Sequence, residues 1–260
     1  MDRYDSLQLR EVFHIEFLRQ LGRMVKAENY AVKGGVNLRL FFKSFRYSED
    51  MDLDARGISR LQLKEAVMKI LDNRAFQDNL KPFGIIRIIA PDAAKAKQTE
   101  ITQRFKVHLV SSSGEDLFTK VEFSRRPFAG NAVVGTVNDA ILRAYKLPPL
   151  LAPHYDEFSA VAQKLHALAG RAAVQARDIF DLYVLSSQCT APGRRVDSVD
   201  AGTLSKALER VFEVEFEQFS DTVVSYLSAE DQAVYNSSGS WEEVRLKAAH
   251  FIEEMSKPYA

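Results

Sequence analysis

Two glycines between an apolar strand and a helix, followed by a strand of alternating acids, leave a chain few folds. Here the short apolar run Tyr30-Ala31-Val32 ends at Lys33-Gly34-Gly35. Val36 to Phe45 is apolar and compatible with a short helix. Met51-Asp52-Leu53-Asp54 then alternates as a half-buried strand does. Residues two apart on a strand share a face. Asp50, Asp52 and, at the far end, Asp54 are therefore expected to project together, with Met51 and Leu53 turned to the core. Carboxylates crowded on one face repel each other unless a cation lies between them. A hard divalent ion such as Mg²⁺ suits oxygen ligands of this kind. Gly34 and Gly35 let the backbone approach a ligand and turn its N–H groups outward, and the start of a helix adds a positive end. A phosphate cradle and a plain tight turn both fit that spelling. Neither a Walker A loop nor a Gly-x-Gly-x-x-Gly fingerprint is present.

The rest of the chain sorts into two regimes. The first 26 residues read as helical, with Leu9, Val12, Phe13, Phe17, Leu21 and Met24 on one stripe and Asp5 or Ser6 as the cap. A second helix is expected from Ser59 to about Phe76. Strands follow at Phe83 to Ala90, around Phe105, Val107 and Leu109, and at Phe118 to Phe123. Ser111-Ser112-Ser113-Gly114 supplies a hairpin loop between the last two. Beyond Pro148-Pro149 the strand signals fade. Phe158 to Ala169, Ala173 to Ser186, Leu204 to Phe216 and Trp241 to Met255 read as helices, and Ser240 to Glu243 spells a capping box. The expected organisation is an α+β domain over residues 1–147 and a helical domain over residues 148–260.

Composition narrows the function classes. Of 260 residues, 46% are hydrophobic and 27% charged, which is a globular balance. Lys plus Arg and Asp plus Glu both number 35, so the chain is not a basic nucleic-acid coat protein, and any RNA contact must use a local patch. The lone Cys189 can form neither an internal disulfide nor a thiolate zinc site, and reads as a small core residue. The five histidines show no metal-ligand spacing. No basic segment precedes an apolar run at the N-terminus, and no apolar stretch nears a membrane span, so a soluble cytoplasmic protein is expected.

Glycines, then a helix, then a strand bearing Asp-x-Asp, is the order of the nucleotidyltransferase fold. The chain resembles the AbiEii/AbiGii-type nucleotidyltransferase toxins of type IV toxin–antitoxin systems. The matching stretches are Lys33-Gly34-Gly35, Leu38-Arg39-Leu40, Arg46-x-Ser48-x-Asp50-x-Asp52, Gln163 to Leu168 and Arg177 to Leu182, in the family's order.

The resemblance implies a mixed sheet with flanking helices, followed by a helical bundle. It implies that Asp50 and Asp52 bind the metal ions carrying a nucleoside triphosphate. Gly34 and Gly35 would hold the triphosphate with Lys33 beside them, and Ser48 would lie at the mouth of the phosphate site. A third carboxylate on a later strand belongs to the wider superfamily. Glu122 is the candidate, or else a solvated strand residue paired with Lys120 or Arg125. Lys164 and Asp178 would complete the catalytic set from the helices. Lys164 would neutralise a phosphate, and Asp178 would hold Lys164 or take a proton. The alternatives are an exposed helix lysine and a surface partner of Arg177. Asp181 ranks below Asp178, as a partner of Arg177 or Arg171.

The implied reaction is Mg²⁺-dependent transfer of a nucleoside monophosphate to an RNA acceptor, the tRNA 3′ end, which blocks translation. A protein side chain or a small molecule is the other acceptor class, and a nucleotide-binding regulatory module without catalysis the other function class. A cognate antitoxin encoded nearby is the implied partner. Lys43, Arg46, Arg125, Arg126, Lys146, Arg171, Arg194 and Arg195 are the basic residues expected to serve RNA.

Overall fold

The structure is a computed structural model and describes residues 4–92, 99–128, 130–189 and 198–256. Arg194 and Arg195 lie outside the described residues. The chain divides into two compact units. The first comprises residues 1–41, 47–128 and 132–154; the second comprises residues 42–46, 129–131 and 155–260.

In the sheet unit, α1 (Ser6–Met24) is capped by Asp5, with Gln8 closing a capping box. Strand β1 (Tyr30–Lys33) runs into α2 (Gly34–Phe41), which leads to β2 (Met51–Ala55). Ser59 caps α3 (Arg60–Leu71), again with a capping box. The single helix expected from Ser59 to Phe76 is two. Asn73 accepts from the Phe76 amide and starts α4 (Arg74–Leu80). Strands β3 (Ile85–Ile89), β4 (Thr102–Ser111) and β5 (Asp116–Ser124) follow, with the turn at Ser111–Gly114 as expected. Then come β6 (Ala132–Thr136), α5 (Asp139–Ala144) and β7 (Leu151–Tyr155).

The strands form one mixed sheet in the order β3-β4-β5-β2-β1-β7-β6. β1 and β2 are antiparallel, β2 and β5 parallel, and β4 is antiparallel to both β3 and β5. α1 packs against α3, α4 and β5. Phe13, Phe17, Phe76, Phe105, Val107, Val121 and Phe123 are fully buried there, as the period-two and helical stripes require. The units change over at His154, beyond the expected boundary after Leu147, because β7 pairs with β1 and continues the sheet.

The helical unit contains α6 (Glu157–Gly170), α7 (Ala176–Ser186), α8 (Ala201–Arg210), α9 (Phe216–Thr222), α10 (Ala229–Tyr235) and α11 (Ser238–Ser256). α6 packs on α7 and α8, and α11 packs on both of those. The helix expected to run from Leu204 to Phe216 stops at Arg210, and a short 3-10 turn replaces its end. The capping residue of α11 is Ser237, whose hydroxyl accepts from the Ser240 amide, so Ser240 lies inside the helix. Trp241 is buried, stacks on Phe219 at 4.3 Å and donates to the Val214 carbonyl at 2.9 Å. Cys189 is half-buried rather than a core residue; burial, with Glu157 and Asp156, pushes its thiol up to about 12. Among the described residues no helix is long and apolar enough to cross a membrane.

Candidate active site

The strand registers assemble a row of charges across four strands. Lys33 lies opposite Asp52, Asp52 beside Glu122, and Glu122 opposite Arg104. Gly34 opens α2 at the end of this row with φ +65°, a left-handed conformation that L side chains rarely adopt. A Cβ placed on Gly34 would lie 3.4 Å from Asp52 Oδ2. The backbone of the glycine turn therefore faces the Asp52 carboxylate directly. Gly35 sits in the first turn of α2 without a positive φ.

Asp52 lies in a conflicted field. Burial raises its carboxyl above the usual carboxylate range, Lys120 and Lys33 pull it down, and Glu122 and Asp50 push it up. Glu122 is held by Arg104 Nε at 2.5 Å, not by Lys120 or Arg125. Lys33 Nζ lies 2.5 Å from Asp54 Oδ1, so the buried Asp54 has its own half-buried cation. The three acids do not form one strand row as expected, because Asp50 precedes β2 and sits in a bend.

That bend is fastened to β5. Ser48 Oγ donates to the Asp50 carbonyl at 2.8 Å. The Lys120 amide donates to Asp50 Oδ1, and Lys120 Nζ approaches Asp50 Oδ2, both at 2.9 Å. Thr119 Oγ1 donates to the Glu49 carbonyl at 2.7 Å. Its proton is thereby committed, so His14 Nε2 donates to it at 2.8 Å. Burial drives the His14 pKa down to about 3, Asp50 opposing and Arg10 assisting, which keeps the ring neutral. Among the described residues no three His, Cys, Asp or Glu side chains are gathered as a metal cage. The carboxylate oxygens of Asp50 and Glu122 accept from Lys120 and Arg104 instead.

Arg39, in a stretch the resemblance singled out, has a supporting role. Its guanidinium donates to Glu11 Oε1 at 2.6 Å and lies 4.1 Å over the Tyr47 ring, next to the bend. Tyr145 OH donates to Glu11 Oε2 at 2.6 Å. Glu11 and Tyr145 are 134 positions apart, so no local sequence signal announces the trio.

The helical unit holds the second group. Lys164 Nζ on α6 lies 3.0 Å from Asp178 Oδ1 and 2.6 Å from Asp181 Oδ2, both on α7. Arg171 Nε lies 2.9 Å from Asp178 Oδ2. Arg46 NH2 donates to both Asp181 oxygens, at 3.0 and 3.2 Å. Both aspartates are fully buried. Burial acts to lower the Lys164 pKa and to raise that of Asp181. The opposite charges win in both, leaving Lys164 above and Asp181 below their ordinary values. Lys164 is thus a largely covered network lysine rather than an exposed one, and Asp181 pairs with Arg46 and Lys164 rather than with Arg177 or Arg171.

The same packing revises the basic patch. Arg46 is 6% exposed and serves Asp181. Arg125 donates to the Ile58 carbonyl and Gln103, and Arg171 is paired with Asp178. Lys43, Arg126 and Lys146 remain exposed.

The family model described as "Nucleotidyl transferase AbiEii toxin, Type IV TA system" matches residues 16–254. The chain belongs to the AbiEii nucleotidyl transferase toxin family. It is a nucleotidyltransferase toxin by that membership, and the family is one of toxin–antitoxin systems. Solved structures share its fold. JHP933 from Helicobacter pylori is 18% identical with a TM-score of 0.58, over 98% of this chain and 94% of that one. MenT4, a nucleotidyltransferase toxin of Mycobacterium tuberculosis H37Rv, is 18% identical with a TM-score of 0.61, over 98% of this chain and 85% of that one. No functionally curated protein matches the chain. The glycine–carboxylate row lies in the sheet unit; Lys164 and Asp178 belong to the helical unit.

Proposed function

We propose that this toxin transfers a nucleoside monophosphate from a nucleoside triphosphate to the 3′ end of tRNA, releasing pyrophosphate and blocking translation. The observation that carries the reading is Gly34. A left-handed glycine turn at a helix start, set against a half-buried aspartate, is built for a polyphosphate and its cation. Gly34 and Gly35 present backbone N–H groups to the phosphates, with Lys33 beside them. Ser48 holds the bend that carries Asp50.

The donor set fits a hard divalent cation. Asp52 is held above the usual carboxylate range by burial and by neighbouring carboxylates, and an added cation relieves that conflict. Asp50 and Asp52 would hold Mg²⁺, with Glu122 as a further oxygen donor after release from Arg104. When bound, Mg²⁺ supplies charge neutralisation at the triphosphate and a lowered pKa for the attacking hydroxyl. The acceptor oxygen forms its bond to the α-phosphorus as the α–β bridge breaks, pyrophosphate takes the bonding pair, and the hydroxyl proton passes to solvent. Lys164 neutralises a phosphate as a point charge. Asp178 is its positioning residue, holding the ammonium at 3.0 Å. A cognate antitoxin is the expected partner, and a tRNA acceptor places the protein in the cytoplasm.

The test is label transfer. Protein, Mg²⁺ and total tRNA are incubated with each α-labelled nucleoside triphosphate, beside Asp50→Ala and Asp52→Ala. Label in tRNA that both variants lose, with the far-UV circular dichroism and urea midpoint unchanged, is the expected result. Label only in protein moves the acceptor to a side chain. Normal transfer by either variant sinks the site assignment.

A further inference from the structure

The face of the sheet that bears Glu122 continues along β4 and β5 into something the carboxylates do not use. Alternation on β5 buries Leu117, Thr119, Val121 and Phe123 and turns Phe118, Lys120 and Glu122 outward. On β4 it turns Arg104, Lys106 and His108 to the same side. The register stacks these into successive rows: Arg104 opposite Glu122, Lys106 opposite Lys120, and His108 opposite Phe118.

Phe118 is 59% exposed, an unusual place for a phenyl ring in mid-strand. Its ring stacks on His108 at 4.6 Å with 24° between planes. His108 Nε2 is fixed in turn to Asp116 Oδ1 at 2.7 Å. The main chain beneath is pinned by Arg10 Nε to the Phe118 carbonyl at 2.9 Å. The result is an aromatic shelf open to solvent.

Its surroundings select the occupant. Lys106 and Lys120 are directly opposed, and like charges so placed destabilise an antiparallel pair. Lys120 has Asp50, but exposed Lys106 has no ion-pair or hydrogen-bond partner among the described residues. An apolar protein partner would leave that lysine pair desolvated and unrelieved. A strand of nucleic acid satisfies both features, because bases stack on aromatic rings while the phosphates answer the lysines. Phe118 is four strand positions from Glu122, about 13 Å at the rise of a strand, which a short single strand can bridge.

We propose that this shelf binds the single-stranded end of the RNA acceptor. A base stacks on Phe118 and His108, and Lys106 takes a phosphate. The inference rests on the reading of the acceptor as RNA, and it names where that RNA sits.

The test is fluorescence anisotropy with a 5′-labelled single-stranded oligoribonucleotide of mixed sequence, which needs no turnover. Phe118→Ala is expected to weaken binding about five- to 150-fold, the range for losing one base–aromatic stack. Phe118→Trp restores it. Lys106→Gln lowers the slope of log affinity against log salt by about 0.7. Calorimetry with each nucleoside triphosphate should show no change in Phe118→Ala, and its melting temperature should stay that of the parent. Oligonucleotide binding that ignores Phe118→Ala overturns the proposal. So does a loss of nucleoside triphosphate affinity instead, which would make the shelf a donor-base site. Label transfer to tRNA without any Phe118 dependence keeps the transferase and removes the shelf. Phe118-dependent RNA binding without label transfer keeps the shelf and removes the transferase.

Discussion

Asp181→Asn isolates the charge network of the helical unit. The substitution keeps the side-chain shape and removes one of two carboxylates that face Lys164, Arg46 and Arg171. Arg46 and Lys164 have only 7% and 12% of their side chains exposed, so solvent cannot replace the lost anion. Breaking a buried pair by removing one partner costs about 3–5 kcal/mol. For a chain of this size about 2–4 °C of melting temperature goes with each kcal/mol, so a fall of about 6–20 °C is expected. Trp241 is the only tryptophan and lies buried in the same unit, so its fluorescence during heating reads that unit. The pH response supplies an independent sign. Asp181 titrates below its unfolded value, so its contribution is fully present above about pH 3.9 and is lost as pH falls through the folded value. The parent should therefore lose more stability on acidification below pH 4 than Asp181→Asn does. A variant that melts within about 2 °C of the parent would refute the account of this network as an interdependent buried set.

Gly34→Ala is expected to cost about 1–2 kcal/mol in urea unfolding, from the left-handed backbone alone. Its label transfer should fall further than that, because the new methyl sits against Asp52 Oδ2. Gly35→Ala, without a positive φ, should be mild in urea unfolding. His14 is held neutral with a folded pKa of about 3, against about 6.5 unfolded, so its contribution is present above pH 6.5 and is lost on acidification. Between pH 7 and pH 5 that linkage removes about 2 kcal/mol, which urea melts should show in the parent and not in His14→Gln. Equal losses in both proteins would remove His14 as the source.

What the sequence discloses here follows the range of the interaction. The caps at Asp5 and Ser59 and the alternation of β2, β4 and β5 are local, and they are legible. β6 and β7 are not. β6 is an edge strand with Val133 and Val134 exposed, so it lacks a buried face, and β7 contains Pro153, which reads as a boundary. Two long helices break where Asn73 and Val211 redirect the chain, and a hydrophobic stripe cannot report that. At the site, Gly34 and Asp52 are visible as motifs, but their contact depends on the register of β1 with β2. Arg46 and Asp181 are 135 positions apart, so their pairing belongs to tertiary structure alone.

The alternation of β4 and β5 has one more consequence. The two strands give their inward side chains to the core and their outward side chains to the shelf, so the same segment answers to two separate demands. Changes at positions 106, 108 and 118 leave Phe105, Val107, Leu117 and Thr119 where they are. Position 120 is different, because both its main-chain amide and the Lys120 ammonium fasten Asp50. Positions 106, 108 and 118 are therefore open to change while the fold and the carboxylate row stay constant. On the proposed role of the shelf, acceptor preference can diverge through those three positions, and a designer seeking a new acceptor has the same three to vary.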